Sequence, residues 1–126
     1  MATVVCVLKH NHAHYFWAGF YLVDESGRAL TIGPYQGTLG CLKIPFGKGV
    51  CGVSAESGET IIVPDVHAFP GHIACDSRSE SEIVVPFRSK SGELLGVFDV
   101  DSTEKESFDA TDQLWLETIL CEFFSV

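Results

Sequence analysis

The stretch FWAGFYLVDESGRALTIGPYQG, residues 16–37, decides the fold class. Two runs rich in aromatic and β-branched residues flank Ser26-Gly27-Arg28, and that pattern predicts a β-hairpin. Side chains alternate along a strand, so Trp17, Gly19 and Tyr21 share one face while Ala18, Phe20 and Leu22 share the other. A glycine between two aromatics leaves space on that face, which suits the wall of a small pocket. The plainer alternative is that both rings are core residues.

Working outward, residues 3–11 read as the end of a helix carrying Val4, Val5, Val7 and Leu8. After the hairpin, residues 37–49 read as a long loop with Pro45 and Gly47. Residues 50–57 form a short helix stopped by Gly58, and 60–63 a short buried strand ended by Pro64. Residues 65–81 form a second long loop, with Pro70, Gly71 and two histidines. A second hairpin joins 82–88 to 94–101 across Lys90-Ser91-Gly92. From Asp109 onward, Leu116, Ile119, Leu120 and Phe123 form a helical stripe. The sum is an α+β fold with a central, mostly antiparallel sheet. Connections of this length inside a small domain are more often functional than idle, and both run over the cysteines.

Composition narrows the function. The chain has 126 residues, 46% of them hydrophobic and 20% charged, which fits one globular domain with one sizeable core. Its net charge of −9 argues against nucleic acid or an anionic membrane as partner. No apolar run is long enough to span a bilayer, and the start MATVVCVLKHNH lacks a basic leader and a cleavage site. A cytoplasmic location is therefore expected, where thiols are kept reduced. The cysteines number five, so they cannot all pair within one chain.

The strand LLGVFDVDS, residues 94–102, places Val97, Asp99 and Asp101 on one face. Two carboxylates within an apolar strand are costly if buried unpaired. That face is either solvated or met by a cation, such as a substrate ammonium, or its acids share protons and supply an acid catalyst. Glu82 opens the preceding strand and can point into the same region. Ser79-x-x-Glu82 also has capping-box spacing, although a strand follows it.

Cys41, Cys51 and Cys75 all fall in the loop-rich middle of the chain. A thiol in an ordered loop with a second thiol in reach is the minimum for thiol redox chemistry. Arg78 and loop amides would favour a Cys75 thiolate, whereas Asp76, Glu80 and Glu82 would oppose it. His67, His72 and Cys75, with Cys41 or Cys51, offer metal donors, but their spacing fits no common zinc pattern, and no metal or cofactor is expected. Cys6 and Cys121 read as small buried hydrophobes on helices. From the residues alone, the chain is a cytosolic α+β domain with a thiol-bearing pocket.

WAGFYLVDE, GPYQG, IPFGKGVCG, VPDVHAFPGHIACDS, SEIVVPF and GVFDVDS, in this order, closely resemble the free methionine-(R)-sulfoxide reductases, single-domain proteins of the GAF fold. The resemblance runs from about Trp17 to Asp112. It implies a single GAF domain over residues 1–126, with helices packed on one side of the sheet and long loops over the active site. It implies reduction of free L-methionine (R)-S-oxide, with Cys75 as nucleophile and sulfenic acid and Cys41 resolving it as a disulfide that thioredoxin reduces. Cys51 matches the family's third cysteine. Trp17 and Tyr21 match the aromatic wall, and Glu82, Asp99 and Asp101 the acids that bind the ammonium and assist protonation. A non-catalytic GAF sensor of small ligands, or a thiol redox switch, is the alternative. Such reductases usually carry more helical sequence before the first strand than Ala2–His12 provides. A missing helix would leave Leu116, Leu120, Phe123 and Phe124 partly uncovered and favour a homodimer.

Overall fold

The computed structural model of the chain describes residues 1–73 and 75–125. The order of elements is α1 (Ala2–Asn11), β1 (Trp17–Val23), β2 (Ala29–Gln36), β3 (Lys43–Pro45), α2 (Gly49–Ser57), β4 (Ile61–Val63), β5 (Ser81–Arg88), β6 (Leu94–Ser102) and α3 (Ala110–Phe124). A single 3₁₀ turn, Val66–Ala68, interrupts the second long loop. The strands form one six-stranded sheet in the order β3-β2-β1-β6-β5-β4, and every neighbouring pair is antiparallel. This is the α+β arrangement around a central antiparallel sheet that the sequence predicts.

Register decides what each face of the sheet carries. Ala18 lies opposite Val100 and Phe20 opposite Phe98, while Ile83 and Val85 of β5 continue both rows. These residues, all fully buried, form one core with Val5 and Leu8 of α1 and Leu116 and Leu120 of α3. The two terminal helices thus cover one face. The opposite face is covered by α2, whose Val50, Cys51 and Ala55 pack with Trp17, Tyr21, Val84 and Val97.

The helix boundaries follow local chemistry. Gly58 ends α2 in the left-handed conformation (φ 72°), and its N–H returns to the carbonyl of Ser54. Asp109 caps α3: its carboxylate accepts from the Thr111 and Asp112 amides, and the Asp112 carboxylate accepts from the Asp109 amide.

Five sequence expectations change. The helices lie on both sides of the sheet rather than on one, because α2 covers the face opposite α1 and α3. The first long loop contains the edge strand β3, because residues 43–45 pair with 29–31 of β2. Leu116 and Leu120 are only 2% exposed, because they pack into the core that α3 shares with α1 and the sheet. Phe124 rather than Phe123 turns inward, its ring 5.2 Å from that of Phe20 and 5.6 Å from that of Phe87, while Phe123 stands in solvent. Cys6 and Cys121 are exposed, since Val5 and Leu120 take the inward positions beside them.

Gly19 shows how tightly the site face is built. A Cβ there would overlap the Cβ of Tyr35 on β2 and come within 2.8 Å of the Trp17 ring. The space that the glycine opens is therefore filled by Tyr35 and Trp17, whose rings stack at 5.2 Å. Gly19→Ala is expected to destabilise the protein by about 1–3 kcal/mol, as overpacking of a dense site does. Urea unfolding of the reduced protein measures this.

Candidate functional site

The site is assembled from three neighbouring strands on the α2 face. Asp101 lies opposite Trp17 on one side and Glu82 on the other, and Asp99 lies opposite Gly19 and Val84. Antiparallel pairing thus brings together three carboxylates that lie 17 and 19 residues apart for Glu82 and the two aspartates. Glu82 and Asp99 are 5% and 6% exposed. They form the floor of a cleft of about 40 Å³, with Trp17 and Tyr21 as its wall and Cys51 and Cys75 on its lining. The Trp17 and Tyr21 rings stack with centroids 5.9 Å apart.

Cys41 and Cys75 are joined by a disulfide with a Cα–Cα separation of 5.5 Å. Cys75 is exposed and Cys41 partly so. Two latches hold the loop that carries Cys41. Trp17 Nε1 donates to the carbonyl of Thr38 at 2.8 Å, and the Tyr21 hydroxyl donates to the carbonyl of Cys41 at 3.0 Å. Thr38 Oγ1 donates to Asp76 at 2.8 Å, which ties the first loop to the second. The Arg78 guanidinium donates two hydrogen bonds to Asp76, its backbone amide a third, and the guanidinium lies 4.9 Å over the Phe16 ring. The guanidinium holds the Asp76 carboxyl well below the usual range. Arg78 is therefore engaged by Asp76 rather than facing the cysteines.

Burial pushes all three acids toward the neutral form. Burial, with the Asp101 charge next, pushes Glu82 up to about 8. Burial and the neighbouring Glu82 raise Asp99 far above the ordinary range, and burial and Asp99 do the same to Asp101. Cys51 lies 4.0 Å from Glu82 Oε2, and burial followed by the Asp99 charge raises its thiol. Among the described residues, one oxygen of Asp99 (Oδ1) is buried with no hydrogen-bond partner. Such an atom is stabilised when a donor or cation arrives.

His72 Nε2 lies 3.5 Å from Glu82 Oε1. Burial lowers the imidazole and raises the acid, so near neutrality the two meet as a neutral pair rather than an ion pair. The His67, His72 and Cys75 metal set does not assemble. His67 pairs with Glu80 at 3.0 Å, and the Cys75 sulfur is bonded to Cys41.

The shifts carry a sign for stability. Glu82 has a folded pKa above its unfolded one, so its contribution is full below about 4.5 and is lost as pH rises through about 8. Tyr21 and Cys51 are raised too and act in the same direction at higher pH. His72 is lowered and acts oppositely, costing stability below about 6.5. The thermal midpoint is therefore expected to rise on going from pH 9 to pH 7. Glu82→Gln should flatten that slope, as followed by circular dichroism.

Sequence reasoning missed several lining residues. Lys48, Gly49 and Val50 bring the N-terminus of α2 to the cleft, and Thr38, Ser79 and Ile73 complete it. A polar loop residue has no periodicity to betray it. The motif GKGVCG carried the one available signal, a glycine pair opening a helix. Among the described residues, no helix is long and apolar enough to cross a membrane.

Comparison with known proteins follows the same lines. The GAF domain family matches residues 8–120. A free methionine-R-sulfoxide reductase of Saccharomyces cerevisiae is 52% identical over 104 residues, which is 82% of this chain and 58% of that protein. The free methionine-R-sulfoxide reductase of Neisseria meningitidis, solved with its substrate, superposes with a TM-score of 0.90 at 49% identity, over 94% of this chain and 70% of that one. That of Thermoplasma acidophilum superposes with a TM-score of 0.89 at 31% identity, over 99% of this chain and 92% of that one.

Proposed function

Since this chain belongs to the GAF domain family, among its free methionine-R-sulfoxide reductases, we propose that it reduces free L-methionine (R)-S-oxide to L-methionine. The observation that carries the reading is the Cys41–Cys75 disulfide beside a cleft floored by buried acids and walled by stacked aromatics.

In the reduced protein, the Cys75 sulfur attacks the sulfoxide sulfur. The sulfoxide oxygen takes a proton from a neutral acid of the floor and passes to Cys75 as a sulfenic acid, while methionine leaves as the sulfide. Glu82, at about 8, is neutral at pH 7 and can supply that proton. The Cys41 thiol then attacks the sulfenic acid, water departs, and the disulfide forms. One sulfoxide and two thiols give one sulfide, one disulfide and one water. Cys51 stays off this path, as a buried thiol beside Glu82.

Recognition uses the same walls. The substrate ammonium meets the free Asp99 oxygen and draws a proton off the floor, leaving a charge pair. The Trp17 and Tyr21 faces receive the methyl sulfoxide end. The substrate carboxylate sits at the N-terminus of α2, where amides of the first turn have no partner within the helix. A methionine inside a protein has an amide where the ammonium would be and would leave the acids unpaired, so it is rejected.

Thioredoxin is the dithiol donor in this reading. The disulfide is reachable, and exposed Leu39 and Leu42 with Ile73 give an apolar rim around it for a protein partner. The cycle runs in the cytoplasm, where a reducing pool regenerates the dithiol. A homodimer would use the outer face of α3, where Leu114, Trp115 and Phe123 stand exposed.

The test is turnover of each free methionine sulfoxide epimer, and of a peptide substrate, with a thioredoxin system. Turnover of the free R epimer alone is the expected result. No turnover by folded, reduced protein that still binds the sulfoxide would indicate a sensor instead.

A further inference from the structure

Cys51, Glu82 and Asp99 also form a ligand set of another kind. Their Sγ and carboxylate oxygens all lie within 4.8 Å of one another, on three buried residues. The Cys51 sulfur is 4.0 Å from one oxygen of Glu82, and His72 Nε2 is 3.5 Å from the other. Asp99 is 6% exposed, and among the described residues its Oδ1 has no hydrogen-bond partner. A buried acceptor without a donor partner marks a place where a donor or cation is stabilised. The three donors come from α2, β5 and β6, so tertiary packing rather than one strand brings them together.

A thiolate and two carboxylates make a borderline-soft, three-donor set, with the His72 imidazole beside Glu82. That chemistry suits zinc or cadmium and disfavours magnesium and calcium, which take six or more oxygens. Small rotamer shifts would be needed to bring the donors to bonding distances of about 2.0–2.3 Å.

We propose that this pocket binds one zinc-class divalent cation through Cys51, Glu82 and Asp99, and that the cation inhibits by taking the place of the substrate ammonium. The inhibitory half rests on the reductase reading above, whereas the binding half does not. Cys51 separates the two ligands. An ammonium is satisfied by carboxylates and gains little from a thiol, but a zinc-class ion forms a strong bond there. Binding replaces the thiol proton with the metal, so protons are released and nothing is oxidised or reduced.

Cadmium alone is the probe, because a cadmium–thiolate bond gives an ultraviolet charge-transfer band that oxygen and nitrogen ligands do not. The protein is used oxidised, with the Cys41–Cys75 disulfide closed and with Cys6→Ser and Cys121→Ser, so that Cys51 is the remaining thiol. The band is expected to saturate at one cadmium per chain. Cys51→Ser should abolish it, and Asp99→Asn should weaken binding at least tenfold. A folded protein without the band, or a band that survives Cys51→Ser, overturns the proposal. A second variant, with Cys6, Cys41, Cys75 and Cys121 all replaced by serine, binds the sulfoxide without turnover. Saturating free methionine (R)-sulfoxide should displace cadmium from it, and an undiminished band overturns the inhibitory half. A cadmium band without reductase turnover in the native protein removes the reductase reading and leaves the site. Turnover without the band does the reverse.

Discussion

Cys75→Ser is expected to lower turnover of free methionine (R)-sulfoxide by on the order of 10³-fold or more, as loss of a nucleophile does. The proposed chemistry passes the sulfoxide oxygen to sulfur, and a serine hydroxyl cannot accept it as a sulfenic acid. The comparison must be made with reduced wild type. Closing a loop with a sequence separation of 34 stabilises the oxidised form by roughly 3–4 kcal/mol in the chain-entropy picture, and the variant lacks that bridge for reasons unrelated to catalysis. Cys41→Ser completes the argument. It should release about one equivalent of methionine per chain and then stop, with Cys75 labelled by a sulfenic-acid-selective diketone. Substantial steady turnover by Cys75→Ser would remove the mechanism.

Asp99→Asn is expected to reduce kcat/KM for the free sulfoxide on the order of 10²-fold, mainly through KM, because it removes one partner of a buried charge pair. The same change should raise the thermal midpoint of the substrate-free protein. Asp99 is buried, flanked by Glu82 and Asp101, and its Oδ1 has no hydrogen-bond partner among the described residues, so the folded protein gains by losing its potential charge. Stability up and binding down is a signature that a purely structural residue would not give. An equal loss of both would show that Asp99 serves the fold. Glu82 adds a pH dependence. If its protonated form supplies the proton, kcat/KM should fall as pH rises through about 8, and Glu82→Gln should remove that limb along with much of the rate.

Much of this arrangement was legible in local pattern. The hairpin 16–37 and the alternation of Trp17, Gly19 and Tyr21 follow from a period of two, and β1 and β2 do pair, although their register shifts between Gly19 and Tyr21. Asp99 and Asp101 stood out because carboxylates in an apolar strand need a reason. Their meeting with Glu82 was suspected, and strand register brings it about. The motifs carried the family, and with it the pairing of Cys41 with Cys75. Spacing alone left that pairing open against a metal reading.

Other features had no local signal. Val5 and Leu120 point inward while Cys6 and Cys121 face solvent, because a one-residue step around a helix exchanges core for water. Phe123 and Phe124 are both aromatic, and their places were set by Phe20 and Phe87 across the sheet. The Thr38–Asp76 latch joins residues 38 apart, and Tyr35 fills the space above Gly19 from the neighbouring strand. Periodicity and covalent chemistry act between near neighbours, so strands, helix ends and the suspect acids could be recognised in the chain itself. The neutral state of those acids, the orphaned Asp99 oxygen and the nearness of Cys51 to Glu82 depend on burial and on strands closing across the sheet. Only the folded molecule sets those distances and excludes the water that would otherwise decide them.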